Sequence, residues 1–319
     1  MYALKTQLDF ELKRFKVKEN SIETVFIGGG TPSTVSAELY EPIFQLIKPY
    51  LTQEAEITSE ANPNSATYEW LQGMKTVGVN RISFGVQSFN EAKLKLLNRA
   101  HTRKMAEIAI SHASEIGFKN ISLDLIYATL GDTKELLNYD LKKAFSLPIN
   151  HLSAYALTIE EGTPFESKPQ MAQEHLAITE WIFKTIKDYG FKQYEISNFG
   201  SYKSKHNLGY WKYEDYLGVG AGAVGKLDLQ RFYPTPIIEE YIQNPLKIKI
   251  ENLTQEDIRL EKIFLGFRSC VGVKQEILTN EEKRKAKLLV DEKKLRLEDE
   301  TLYNPDYLLS DELALFLNS

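Results

Sequence analysis

Apolar residues fall into short runs that alternate with amphipathic stretches along most of the chain. The runs Ile22–Ile27, Ala55–Glu60, Arg81–Val86, Asn120–Ile126, His151–Leu157 and Lys192–Ser197 are rich in β-branched and aromatic side chains. Each reads as continuous or nearly continuous in apolar character, as strands buried on both faces of a parallel sheet do. Stretches at about 36–50, 65–77, 103–117, 133–146 and 170–189 carry apolar residues at helical spacing. Start-to-start spacings of 26 to 41 residues match a βα unit. The predicted fold class is α/β: a parallel sheet, open or curled into a barrel, with a doubly wound sheet as the alternative.

The first and last parts of the chain break this rhythm. Leu4, Leu8, Phe10, Leu12 and Phe15 give a helical stripe that starts with no Ser, Thr, Asp or Asn before it. An uncapped opening predicts a preceding segment that this sequence does not include. After about residue 236 the pattern changes again. Thr254-Gln-Glu-Asp257 reads as a capping box ahead of Ile258, Leu260, Ile263 and Phe264. A helix is predicted at about 281–290, a β-hairpin over 294–303 and a final helix over about 309–318. Residues 1–235 and 236–319 are the expected domains.

Composition narrows the function classes. The 319 residues carry a net charge of −5, with 43% hydrophobic and 26% charged residues. Those values suit a folded globular protein rather than a disordered one. Mild acidity argues against a dedicated nucleic-acid binder. No apolar run approaches the ~18 residues of a membrane span and no secretory signal opens the sequence, so the expected location is cytoplasmic. The single cysteine, Cys270, excludes an intrachain disulfide and any multi-cysteine metal or iron–sulfur site built from these residues alone.

Candidate chemistry gathers where the apolar runs stop: Gly28-Gly29-Gly30-Thr31, Glu60, Gln87-Ser88, Asp124, Tyr155 and Glu195. In parallel α/β folds ligands sit at the carboxyl ends of the strands. Three glycines let the backbone turn sharply and let a ligand approach the main chain, and Pro32 then fixes φ. Ser36 is the predicted cap of the next helix, with Glu38 in its first turn. Gly220-Ala-Gly222-Ala-Val-Gly225 matches a dinucleotide fingerprint in letters only, because Pro234 and Pro236 follow where a helix would be needed. No strand end offers the lysine that a phosphate-binding barrel aldolase would use.

Gly28-Gly-Gly-Thr-Pro-Ser33, Glu60-Ala-Asn-Pro63, Arg81-Ile-Ser-Phe-Gly-Val-Gln-Ser-Phe89, Asn98-Arg-Ala-His101 and Asp124-Leu-Ile-Tyr127 together resemble the radical SAM proteins of the oxygen-independent coproporphyrinogen oxidase group. His206-Asn-Leu-Gly-Tyr-Trp211 resembles the H-N-x-x-Y-W motif of its HemW, or heme chaperone, branch. Tyr194-Glu-Ile-Ser-Asn198, Gly220-Ala-Gly-Ala223 and Glu261-Lys-Ile-Phe-Leu-Gly266 extend the likeness over almost the whole chain. The resemblance implies a partial (β/α) TIM-like barrel with its first strand missing here, plus a small α+β, winged-helix-like C-terminal domain. It places S-adenosylmethionine against Gly29, Gly30, Thr31, Glu60, Gln87, Arg99, Asp124 and Ala156. Arg99 can pair with a carboxylate, and the acidic side chains can accept from ribose hydroxyls.

The family's C-x3-C-x2-C segment, whose thiolates hold a four-iron cluster, does not occur in this sequence. The cluster is therefore expected only in a complete chain, and the chain as given is expected to be inactive in radical chemistry. A start at an internal Met and a degenerate relative are both open, the retained Gly, Glu, Gln, Arg and Asp favouring the first. The stretch Leu125-Ile-Tyr-Ala-Thr-Leu-Gly131 replaces the family's Gly-Leu-Pro-Gly turn, and Val224 replaces a common His. Aromatics and Lys203, Lys205 and Lys212 around His206 suit a porphyrin, with His206 either an axial iron ligand or a hydrogen-bonded loop residue. The implied function is heme transfer to a membrane acceptor protein; the alternative is oxidative decarboxylation of coproporphyrinogen III. No nucleic-acid partner is expected. An exposed strand edge predicts low solubility or a homodimer.

Overall fold

The computed structural model describes residues 1–163, 165–173 and 176–319. Its main sheet contains β1 (Ile22–Ile27), β2 (Leu51–Ala61), β3 (Arg81–Gln87), β4 (Asn120–Tyr127), β5 (His151–Ala156), β6 (Lys192–Gln193) and β7 (Asn198–Gly200) in the order β1-β2-β3-β4-β5-β7-β6. Strands β2 to β5 run parallel. The helices are α1 (Tyr2–Arg14), α2 (Glu41–Ile47), α3 (Tyr68–Val77), α4 (Glu91–Leu96), α5 (Arg103–Glu115), α6 (Lys134–Phe145), α7 (Leu176–Asp188), α8 (Lys205–Trp211), α9 (Ile238–Gln243), α10 (Gln255–Phe267), α11 (Asn280–Asp291) and α12 (Ser310–Asn318).

Contacts divide the chain into two units. One comprises Thr24–Glu41 and Ala55–Lys203; the other comprises Met1–Glu23, Pro42–Glu54 and Ser204–Ser319. In the first unit, α3, α5 and α6 start by one device. The hydroxyls of Thr67, Thr102 and Thr133 accept from the amides of Trp70, Met105 and Leu136 at 3.2, 3.3 and 3.2 Å. Their inner faces bury Leu71 and Met74, Ala106 and Ile110, and Leu137 and Leu141.

Three expectations need correction. The run Lys192–Ser197 is not a sixth parallel strand. Only Lys192 and Gln193 are extended, and the chain returns as β7, antiparallel to both β5 and β6. Phe199 is fully buried there, and a Cβ on Gly200 would lie 2.7 Å from the Asn150 carbonyl, so only glycine permits this approach. The predicted helix at 36–50 runs without a gap from Ala37 to Tyr50, but only α2 is α-helical, between 3-10 turns at Ala37–Tyr40 and Lys48–Tyr50; Pro49 supplies no amide to extend α2 beyond Ile47. Ser36 does precede the first turn, but its hydroxyl bonds the Glu38 carboxylate instead of a backbone amide. Of the stretch predicted at 170–189, Glu174 and His175 lie outside the described residues.

A further correction concerns the strands themselves. They alternate rather than being apolar throughout. Ile57, Ile82, Phe84, Ile121, Leu123, Leu152 and Ala154 fall on one face and are buried. Register places the other positions side by side on the opposite face: Glu60 with Ser83, Ser83 with Ser122, and Ser122 with His151. A second row runs Asp124, Ser153, Asn198 across β4, β5 and β7. That face is polar. Its amino-terminal part is closed, with Thr58, Ser122 and His151 buried, whereas Glu60, Gly85, Asp124 and Tyr155 toward the carboxyl ends reach solvent.

The second unit has two small sheets. Strands β8 (Gly225–Leu227), β9 (Gln230–Pro234) and β10 (Ile248–Asn252) form an antiparallel meander. The 220–225 glycine run leads into β8, not a helix, as expected. Its amide at Gly220 donates to Gln7 Oε1 of α1 at 2.9 Å, and the Tyr241 hydroxyl donates to the same oxygen at 2.7 Å. Strands β11 (Val273–Lys274), β12 (Arg296–Glu298) and β13 (Thr301–Tyr303) pack with α10, α11 and α12 around Phe267, Leu289, Leu302 and Leu313. The capping box of Thr254 and Asp257 is present, and Thr279 with Glu282 forms a second one.

Candidate functional site

The glycine loop follows β1 directly. Gly29 has φ of +81°, a conformation that costs glycine little. A Cβ on Gly28 would stand 2.8 Å from the Glu60 carboxyl carbon, so the absence of a side chain lets the two segments close. Glu60 accepts a hydrogen bond from the Gly29 amide, while burial raises its pKa. Gly30 has open space around its missing side chain, and Thr31 is exposed and ends the loop by accepting from the Thr34 amide at 2.9 Å. Ser33 fixes the loop to the end of β2: its hydroxyl pairs with Ser65 at 2.7 Å and accepts from the Asn62 amide at 2.9 Å.

Gln87 ends β3 at a bulge and has φ of +67°. This is an unusual conformation for a residue with a side chain, and such strain clusters at functional sites. Its carboxamide lies over Gly85 on the polar face, where a Cβ would stand 3.2 Å from Nε2. Arg99 follows α4, and its Nε is buried with no partner among the described residues. Burial pulls the Arg99 pKa down and Asp124 pulls it up, so the two lie within electrostatic reach. His101 anchors this segment by a 2.9 Å bond to the Val86 carbonyl. Asp124 is pushed up to about 6, chiefly by burial; Ser153 donates to it and the nearby Glu60 adds repulsion. Gly29, Gly30, Glu60, Gln87, Arg99 and Asp124 thus lie along the carboxyl end of one face.

Ala156 differs. It is half-buried at the end of β5, but alternation turns its methyl group to the apolar side, leaving only its backbone for the polar face. Residues outside the expected set also line that face. Arg81, Ser83, Ser153 and Asn198 share it through the register, and Tyr155 and Glu195 join them at the carboxyl end. Tyr155 and Glu195 were visible as polar strand ends. Arg81 and Ser153 sit inside runs that read as apolar, and only strict attention to period 2 would have exposed them.

His206 lies in the second unit, on α8 and not in a loop. The Ser204 hydroxyl caps this helix by accepting from the Asn207 amide at 3.3 Å. His206 and Tyr210 are one turn apart, with Nε2 and the hydroxyl 3.0 Å apart. Tyr210 packs edge-on against both His206 and Tyr216, at centroid distances of 4.9 and 4.8 Å. The motif spacing is therefore that of an i, i+4 pair on one helix face.

The signature of the Radical SAM superfamily matches residues 5–143. The chain is 34% identical over 284 residues to the heme chaperone HemW of Lactococcus lactis, covering 85% of this chain and 74% of that one. It is 36% identical over 276 residues to heme chaperone HemW of Bacillus subtilis, covering 81% and 73%. Coproporphyrinogen III oxidase (HemN) of Escherichia coli, a radical SAM enzyme, superposes with a TM-score of 0.79 over 99% of this chain and 82% of that one, at 17% identity. The last likeness shows the shared fold, a parallel-sheet α/β core with an α+β C-terminal region. No helix among the described residues is long and apolar enough to cross a membrane. With this level of identity over most of both sequences, the chain belongs to the HemW branch of the HemN-like radical SAM proteins.

Proposed function

We propose that the protein is a heme chaperone that binds S-adenosylmethionine on the polar face of its sheet and carries heme to an acceptor protein in the membrane. The observation that carries this reading is identity of 34–36% with two HemW heme chaperones across more than four-fifths of the chain. Residues 236–319 act as the C-terminal domain of that scaffold, and the protein works in the cytoplasm.

The polar face suits a sulfonium nucleotide. The unpartnered Nε of Arg99 is available to the amino-acid carboxylate. The open main chain at Gly29, Gly30 and Thr31 can hold the ammonium, and Glu60 and Asp124 can accept from the ribose hydroxyls. Gln87 and the Ala156 backbone complete the lining. When bound, S-adenosylmethionine supplies a cationic sulfonium in a radical SAM protein. The cluster does not fit these residues: the sequence has one cysteine, Cys270, and no group of three or more His, Cys, Asp or Glu among the described residues could hold a metal ion.

For heme, His206 offers the iron ligand. Titration of the protein with hemin should give a Soret shift that His206→Ala abolishes; an unchanged shift would remove His206 from the role. The HemN fold keeps a second reading in play, oxidative decarboxylation of coproporphyrinogen III. Anaerobic turnover of that substrate by a full-length, cluster-reconstituted protein would favour the second reading over the first.

A further inference from the structure

Two buried oxygens on the β7 side of the polar face have no hydrogen-bond partner. Glu195 is 1% exposed and Asn198 4% exposed. The Glu195 carboxylate accepts from the Ser197 amide at 3.3 Å, from the Asn198 and Ile196 amides and from the Asn198 side chain, yet the single atoms Glu195 Oε1 and Asn198 Oδ1 have no partner among the described residues. An unpaired buried acceptor costs about as much as a lost hydrogen bond, roughly 1–3 kcal/mol, so a pair of them in one place asks for a donor.

Their position gives the donor a source. Asn198 stands beside Ser153, which stands beside Asp124. Two inter-strand steps separate Asp124 from Asn198, about 10 Å. Tyr155 lies above this row, partly exposed; it shares side-chain hydrogen bonds with Ser153 and Asn198 and lies within electrostatic reach of Asp124 and Glu195. One molecule lying along the row could touch Asp124 with one end and the orphaned oxygens with the other.

We propose that Glu195 and Asn198 form a hydrogen-bond-accepting subsite that takes an N–H or O–H group of the molecule bound against Asp124 and Tyr155. This rests on the polar face being a binding site. Two molecules in the proposed function carry such a donor: the nucleoside of S-adenosylmethionine, and a free-base porphyrin through its pyrrole N–H. Hemin, whose pyrrole nitrogens hold iron, carries none at that position. Burial pushes the Glu195 pKa up to about 7, and a donor from the ligand would favour its ionised form.

The test measures affinities of the full chain for S-adenosylmethionine, protoporphyrin IX and hemin, in the wild type, Glu195→Gln, Asn198→Ala and Asp124→Asn, with circular dichroism as the folding control. Glu195→Gln keeps shape and volume, so it remains informative where the alanine variant fails to fold. The expected result is a loss of about tenfold or more for one donor ligand in the Glu195 and Asn198 variants, hemin affinity being unchanged. Loss for S-adenosylmethionine assigns the nucleoside; loss for protoporphyrin IX assigns the pyrrole. Unchanged affinities in both variants, with Asp124→Asn impaired, would leave the binding face standing and overturn the subsite, an internal water then satisfying the pair. A wild type that binds protoporphyrin but not S-adenosylmethionine, with loss in Glu195→Gln, would support the subsite and overturn the nucleotide reading. Binding of neither donor ligand would overturn both.

Discussion

The Glu60 carboxyl carbon lies 2.8 Å from where a Cβ of Gly28 would stand. The loop after β1 and the end of β2 are thereby fitted to each other, and Glu60 is aimed by the missing side chain. Gly28→Ala must push aside both the Phe26 ring, 2.7 Å from the new Cβ, and Glu60. The expected outcome is a folded protein whose affinity for S-adenosylmethionine falls about tenfold, with a stability cost on the order of 1 kcal/mol. Isothermal titration and urea unfolding check both. Unaltered affinity would mean that Glu60 does not touch the ligand.

Asp124 and Glu195 set a pH dependence. Asp124 faces Glu60, Arg81 and Arg99, and Glu195 faces Tyr155 and Asn198. Their pKa values rise from 3.8 to about 6 and from 4.5 to about 7, mainly through burial. A raised carboxyl binds its proton more tightly in the folded state. Its contribution is complete below the unfolded value and is lost as pH climbs through the folded one. Stability without ligand should therefore fall between about pH 4 and pH 7, by up to roughly 3 kcal/mol per group. Asp124→Asn and Glu195→Gln should each flatten that decline in urea midpoints. A variant whose decline is as steep as the wild type's would show that its carboxyl is not the source.

Ser122, His151 and Tyr194 make a buried chain in which both hydrogen bonds measure 2.7 Å. Burial, with Arg81 nearby, holds the His151 pKa well below its ordinary value, so the ring stays neutral. Tyr194→Phe strands one ring nitrogen and should cost about 1–3 kcal/mol. Because the chain lies at the closed end of the polar face, ligand affinity should not move. A change in affinity without a change in stability would contradict this placement.

Lys93 and Asp132 form an ion pair at 2.7 Å, with both side chains 2% exposed. Asp132 also accepts from the Thr129 amide at 2.9 Å, and so ties the loop after β4 to the start of α4. Asp132→Ala leaves a buried ammonium unpaired and should destabilise by about 3–5 kcal/mol. Lys93→Met combined with Asp132→Leu should recover much of that loss. A double variant no better than the single one would argue that the loop depends on the Thr129 contact.

Much of this was legible beforehand. The onsets of β1, β3, β4 and β5 coincide with Ile22, Arg81, Asn120 and His151, since β-branched and aromatic runs announce strands, and the Thr254 box announces α10. The polar face was harder to see. Ser83, Ser122 and Ser153 are small, and Arg81 and His151 sit beside strong apolar neighbours, so the runs looked uniform. The return of β7 depends on a backbone contact at Gly200 that no local propensity encodes. The unpartnered acceptor oxygens of Glu195 and Asn198 have no signal in the local sequence.

Because side chains switch sides at every residue of a strand, the two faces of β4 are interleaved in one short sequence. Deleting a single residue near Ile121 would turn Leu123 and Leu125 onto the polar face and Ser122 and Asp124 onto the apolar one. Substitutions can tune this core one position at a time, but changes in length must be confined to the loops. Any natural variation in chain length within this scaffold should accordingly concentrate between its strands and helices.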